Sequence, residues 1–202
     1  MASIEKNALI TAAQQAYDEC EKFIVGTAEV LARNAENTKD AELLPKISME
    51  TFDIILQACL LNSAVSDGQL EEEEIEFIRK VTKHADLLES EVYGFQIKGK
   101  KFTWEDYAKL STEDQQQVGL EITAVLKEAV TAFVKLFATV DKVLTEVDFL
   151  ELLLERAVFI FVALAGVDGD DYESEIVKAE TAWAGATFKV LLMDTWREVT
   201  GE

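Results

Sequence analysis

The stretch "NSAVSDGQLEEEEIEFI", residues 62–78, joins two helical patterns through Ser66-Asp67-Gly68 and a run of four glutamates, Glu71 to Glu74. Apolar residues at helical spacing end before it, and Ile75, Ile78 and Val81 resume on one face after it. Gly68 suits the left-handed residue that commonly closes a helix. Asp67 can bond nearby backbone N–H groups in the turn, and glutamates complement the positive start of the next helix. Taken alone, this is a helix stop joined to a helix start. It recurs, however, as "ALAGVDGDDYESEIVKAE", residues 163–180. Asp67-Gly68 aligns with Asp168-Gly169, Glu74 with Glu175 and Ile75 with Ile176, every pair offset by 101. Each copy follows a strongly apolar helix, which itself follows a long amphipathic one. The order is long helix, buried helix, Asp-Gly, acidic helix, twice over.

The rest of the chain reads as helix around these two junctions. Nine glycines and one proline in 202 residues leave long stretches without a breaker, and alanine, leucine, glutamate and lysine favour helix. One helix is expected over residues 4–34, with Ile4, Ala8, Ala12 and Ala16 opening its apolar stripe. Residues 34–46, polar and containing Pro45, read as a loop, with Ser48 as N-cap of "METFDIILQACLLNSAV". The second half of that helix is apolar almost all round, so burial on several sides is expected. The third helix runs from about Glu71 to His84, which sits in its last turn. Residues 86–102 are irregular. Thr103 with Asp106, and Ser111 with Asp114, resemble capping signals. Further helices are expected to about residue 144, over 146–166, and over 173–198. Phe133, Phe137, Phe149, Phe159 and Phe161 fall in apolar helical patterns and are expected in the core. The fold class is all-α: a single domain, residues 1–202, forming a helical bundle of two pseudo-repeated halves, about 1–102 and 103–202.

Charge narrows the function. Thirty-nine acids against 19 bases give a net charge of −20. Nucleic acid is disfavoured, because its binding depends on basic residues that displace counterions, and "KGKK" at Lys98 to Lys101 is too small an island to reverse this. Metal cations and basic protein partners are favoured. The longest uncharged apolar run, residues 157–167, is too short for a bilayer, which needs roughly 20 residues, so no direct membrane insertion is expected. With no basic leader followed by an apolar block, a cytoplasmic protein is expected. Cys20 and Cys59 form no CxxC and read as buried free thiols. His84 is the single histidine, which argues against zinc and against a di-iron bundle built on paired Glu-x-x-His motifs. There is no Gly-x-Ser-x-Gly, Walker loop or Gly-x-Gly-x-x-Gly, so a non-enzymatic protein is expected.

The repeated carboxylates carry the sharper expectation. If the halves pack about a pseudo-two-fold axis, Asp67, Glu74, Asp168 and Glu175 converge, a set suited to a hard cation such as Ca²⁺ or Mg²⁺. The structural alternative is helix capping, typically worth about 1 kcal/mol per site. An EF-hand is excluded: with Gly68 at loop position 6 and Glu74 at 12, positions 1 and 3 fall on Ser63 and Val65, and in the second copy on Leu164 and Gly166. "AVSDGQLEEEEIEFI" and "ALAGVDGDDYESEI" instead resemble the paired Ala-x-x-Asp-Gly-x5-Glu signatures of the TerB-like, tellurite-resistance helical family. The likeness is best over residues 51–85 and 153–180. It implies an all-helical cytoplasmic module of stress and chemical-resistance systems. It also implies acidic residues that bind metal and membrane-associated partners, here Asp67, Glu74, Asp168 and Glu175. The alternative is a metal-independent interaction module whose acidic surface docks a basic partner.

Overall fold

Good helix formers at core-facing spacing, and few breakers, give long helices. The computed structural model describes residues 2–33, 38–64, 70–84, 87, 96–97, 100–101, 103, 106–107, 109–141, 149–167 and 175–201. Six long helices account for most of them: α1 (Ala2–Ala32), α2 (Thr38–Ala64), α3 (Glu72–Val81), α4 (Thr112–Asp141), α5 (Phe149–Leu164) and α6 (Glu175–Thr200). The only ladder among the described residues is a minimal antiparallel pair, β1 (Gln96–Ile97) with β2 (Lys100–Lys101), in which Gln96 faces Lys101. The all-α class holds.

The buried stripe of α1 runs through Ile10, Ala13, Ala16, Tyr17, Cys20, Ile24, Thr27 and Ala28. It is rotated from the expected one, since Ala8 is exposed and Ala12 half-buried. Small residues along it let two neighbours approach closely, and α1 packs most fully on α5 and α2. The Cys20 thiol faces the Leu153 carbonyl at 3.8 Å, and Arg156 of α5 reaches Glu19. Helix α2 is central. From Ser48 onward it is buried on nearly every side, as its all-round apolar pattern predicts, and it meets α1, α3, α4, α5 and α6. Aromatic rings link these layers. Tyr17, Phe52, Phe133 and Phe137 follow one another at centroid distances of 6.1, 5.8 and 5.0 Å, and Phe161 meets Phe188 at 5.3 Å.

Three expectations change. Pro45 lies inside α2 rather than in a loop, and Ser48 is no N-cap. The Ser48 and Thr51 hydroxyls instead donate to the carbonyls of Leu44 and Ile47, each at 2.7 Å. The residues around Pro45 are strong helix formers, and α2 carries the lost N–H bond on its outer turns, where Leu43, Lys46 and Ile47 are exposed. Phe159 is 41 % exposed, not core. Finally, α3 stops at Val81, with Thr82 extended (φ −88°, ψ 148°), so His84 lies beyond the helix. At the far end of α6, Gly201 takes φ +78° and its N–H bonds the Arg197 carbonyl at 2.9 Å, the left-handed closure that glycine permits.

Candidate functional site

Glu74 sits in the first turn of α3 and is buried. Its carboxylate accepts the Glu71 N–H at 2.9 Å, while the Glu71 side chain accepts the Glu74 N–H, a reciprocal capping box. The run of glutamates therefore starts the helix. Glu73 and Glu76 add ion pairs to Lys6 at 4.0 and 3.0 Å, and Glu76 also meets Lys80 at 2.6 Å. Hydrogen bonds from Lys80 and Lys6 hold the Glu76 carboxyl down at about 2. Glu175, 101 residues after Glu74, is the first residue of α6, whereas Glu74 is the third of α3; only the backbone of Glu175 is described. Asp67 and Asp168, with their glycines, lie outside the described residues. Among the described residues, no group of three or more His, Cys, Asp or Glu side chains is arranged to hold a metal ion.

The opposite end of α3 carries the most developed polar structure. Asp53 of α2 is fully buried. One of its oxygens accepts the Tyr17 hydroxyl, and the other accepts the backbone N–H groups of Lys83, at 2.9 Å, and His84. One turn along α2, buried Gln57 donates to the Thr82 hydroxyl and accepts the Leu87 N–H, both at 2.7 Å. Gln14 of α1 donates to the Lys80 carbonyl at 3.0 Å. Two polar side chains at i and i+4 on α2 thus take up backbone groups left over where α3 breaks. Burial pushes the Asp53 carboxyl up, and its hydrogen bonds from Tyr17, His84 and Lys83 pull back. Burial and the adjoining carboxylate both raise the Tyr17 phenol. At the surface, Lys83 lies 5.2 Å from the Tyr17 ring centroid and pairs with Asp18 and, at 3.5 Å, Glu21. The His84 ring reaches Glu21 at 3.3 Å. The signal that would have found this clamp is in the sequence: Asp53 and Gln57 stand inside residues 52–61, a helical run that is otherwise apolar.

Ion pairs take up many of the bases. Lys6, Lys46, Lys80, Lys83, Lys127, Arg156 and Arg197 are each within 4.0 Å of a carboxylate. With acids twice as numerous as bases, the surface charge left over is negative. No helix among the described residues is long and apolar enough to cross a membrane. Comparison of the chain with protein-family models, curated proteins and solved structures finds no match.

Proposed function

We propose that this chain is a non-enzymatic helical binding module that presents an acidic surface to a basic protein partner. The observation that carries it is the charge arrangement: among the described residues seven bases are tied to carboxylates of the same chain, while a net charge of −20 remains. Such a surface speeds encounter with a basic partner and repels polyanions. Titration of a labelled amphipathic Leu/Lys peptide tests it by fluorescence anisotropy at low and at physiological salt. Binding that weakens with salt, and none for the Leu/Glu counterpart, is expected. Equal binding of both peptides, or of neither, refutes it.

A second reading is a duplicated, TerB-like module that binds a divalent cation at its Asp-Gly corners. Two observations favour the duplication. Met49, Phe52, Asp53, Leu56 and Leu60 of α2 are buried, and so are Leu150, Leu153, Leu154, Ala157 and Phe161 of α5, each 101 residues on. The helix contacts also exchange in matched sets when α1, α2 and α3 are swapped for α4, α5 and α6. Thus α1–α2 pairs with α4–α5, α1–α3 with α4–α6, α2–α3 with α5–α6, α1–α5 with α2–α4, and α2–α6 with α3–α5. The matched contacts differ in extent, α1 lying along α2 more fully than α4 along α5. Under this reading Asp67, Glu74, Asp168 and Glu175 supply the carboxylates for Ca²⁺ or Mg²⁺ in a stress or tellurite-resistance system. A ligand present at 100 times its Kd adds about 2.7 kcal/mol of stability. Thermal melts in millimolar Ca²⁺, Mg²⁺ and Mn²⁺ therefore decide it: a rise in Tm that Asp67→Asn with Asp168→Asn abolishes supports the reading, and no rise with any of the three sinks it.

A further inference from the structure

The duplicated register shows that the Asp53 clamp is no requirement of packing. The residue 101 positions after Asp53 is Leu154, and both are buried at matching places, Asp53 on α2 and Leu154 on α5. The counterpart of Gln57 is Val158. What sets the first half apart is its corner: α3 ends at Val81, whereas α6 runs unbroken from Glu175 to Thr200. A charged carboxylate is costly to bury where a leucine would serve. The carboxylate is therefore explained by what it holds, the backbone N–H groups of Lys83 and His84.

Lys83 and His84 are exposed, while the Asp53 they cover is fully buried, so water reaches this carboxylate when the corner moves outward. Among the described residues, the groups around Asp53 come from α1 and from the corner. Tyr17 of α1 donates its hydroxyl, and Asp18 and Glu21 stand at the rim, where Lys83 and His84 meet them. Burial disfavours the ionised carboxyl. The Tyr17 hydroxyl, the two N–H groups and positive charge on His84 favour it, and burial prevails. The same corner neutralises acid at the surface, because Lys83 pairs with Asp18 and Glu21 and the His84 ring reaches Glu21. Outward movement thus does two things at once: it hydrates Asp53, and it takes two basic side chains away from Asp18 and Glu21.

We infer that the corner after α3 is a latch that ionisation of Asp53 loosens, baring Asp18 and Glu21 as the pH rises. The closed corner holds the Asp53 proton more tightly than a hydrated, open one, in which aspartate titrates near ~3.9. Closure is therefore fullest below that value. Above it the opening equilibrium grows about tenfold per pH unit until the raised value is passed. The use of the bared acids by a basic partner rests on the acidic-module reading; the opening itself is tested without a partner. The test is hydrogen exchange of the full chain at several pH values above about 4, in urea kept below the unfolding transition. Each rate is divided by the intrinsic rate at that pH, so base catalysis of exchange cancels. The Lys83 and His84 amides should lose about tenfold in protection per pH unit and respond little to urea, since a local opening exposes little surface. The Leu56 and Leu60 amides, in the core of α2, should stay better protected and respond to urea. Asp53→Asn should abolish the pH slope at the corner, whereas His84→Gln keeps the backbone N–H and should keep the slope. Corner amides that exchange in step with Leu56 and Leu60 at every pH and urea concentration overturn the latch, because only global unfolding then exposes them. A flat wild-type profile overturns it, as does a slope that survives Asp53→Asn or that His84→Gln removes. The expected profile together with no binding of the Leu/Lys peptide supports the latch and refutes the acidic-module reading alone.

Discussion

Replacing Asp53 separates two contributions that usually travel together, geometry and charge. Among the described residues the carboxylate accepts hydrogen bonds from the Tyr17 hydroxyl and from the N–H groups of Lys83 and His84, three in all. Bonds to a charged acceptor are worth about 1.5–3 kcal/mol each, or roughly 6 kcal/mol gross. Keeping the carboxylate buried and charged costs several kcal/mol in the other direction. Asp53→Leu removes both and strands three donors, so a net loss of about 3 kcal/mol is expected. Asp53→Asn keeps one oxygen for the two N–H groups and turns an amide N–H toward the Tyr17 oxygen. It should lie within about 1 kcal/mol of wild type.

The pH dependence has a definite sign. Burial raises the Asp53 pKa, so the folded chain holds that proton more tightly than the unfolded chain, where aspartate titrates near ~3.9. Its contribution to stability is greatest below the unfolded value and declines as pH rises through the raised folded value. Asp53→Asn lacks this slope and should gain on wild type across the same window. Urea denaturation at several pH values gives the energies. Hydrogen exchange at the Lys83 and His84 amides shows whether the leucine variant frees the α3 corner first. A leucine variant that loses less than about 1 kcal/mol, or an asparagine variant as unstable as the leucine one, refutes the assignment of the clamp to hydrogen-bond geometry.

Three other outcomes follow from single positions. Gly26 is mid-helix in α1, and a Cβ there meets nothing within 4 Å, so Gly26→Ala should add about 0.5–1 kcal/mol, seen as a Tm rise of about 2–3 °C. The Thr27 hydroxyl is buried and finds no partner among the described residues. Thr27→Val should therefore stabilise by about 1 kcal/mol in the same melts, and a destabilised variant would show that the hydroxyl is paired. Burial pushes the Cys20 and Cys59 thiols up to about 12, so at pH 8 the native thiolate fraction is about a thousandfold below that of an ordinary thiol. Cys20, fully buried, should react with a disulfide reagent only after denaturation, while half-buried Cys59 should react slowly in the native chain; a fast native phase would contradict this.

The all-α class was readable from periodicity because helix interiors here obey one local rule, apolar residues at core-facing spacing. The capping pair Thr103 and Asp106 was readable for the same reason: each side chain bonds the other's N–H at 3.1 Å, within three residues. Ser111 likewise accepts the Asp114 N–H at 3.3 Å. Pro45 misled because a proline's local penalty of about 3 kcal/mol was outweighed by its helix-forming neighbours. Phe159 misled because composition cannot say which face of an apolar helix lacks a neighbour. For the candidate site, the sequence made the acidic helix start legible, and Glu74 proves to be a capping residue. The Asp53 clamp depends on Tyr17, Lys83 and His84, which meet α2 only in the folded chain.

The packing of α1 on α5 has a consequence for how the protein is made. Cys20 and Leu153 are 133 residues apart, yet they touch across the most extensive contact that α1 makes. At a synthesis rate of 5–20 residues per second, one apolar flank of α1 waits on the order of 10 s on the ribosome before its partner exists. During that interval α2 can cover only the other flank. In that interval the nascent chain carries an exposed apolar flank, the kind of surface that makes an incomplete chain prone to aggregate. Closure across so long a loop makes folding slow for an all-helical protein, because the entropy of bringing distant segments together must be met before their contact stabilises anything.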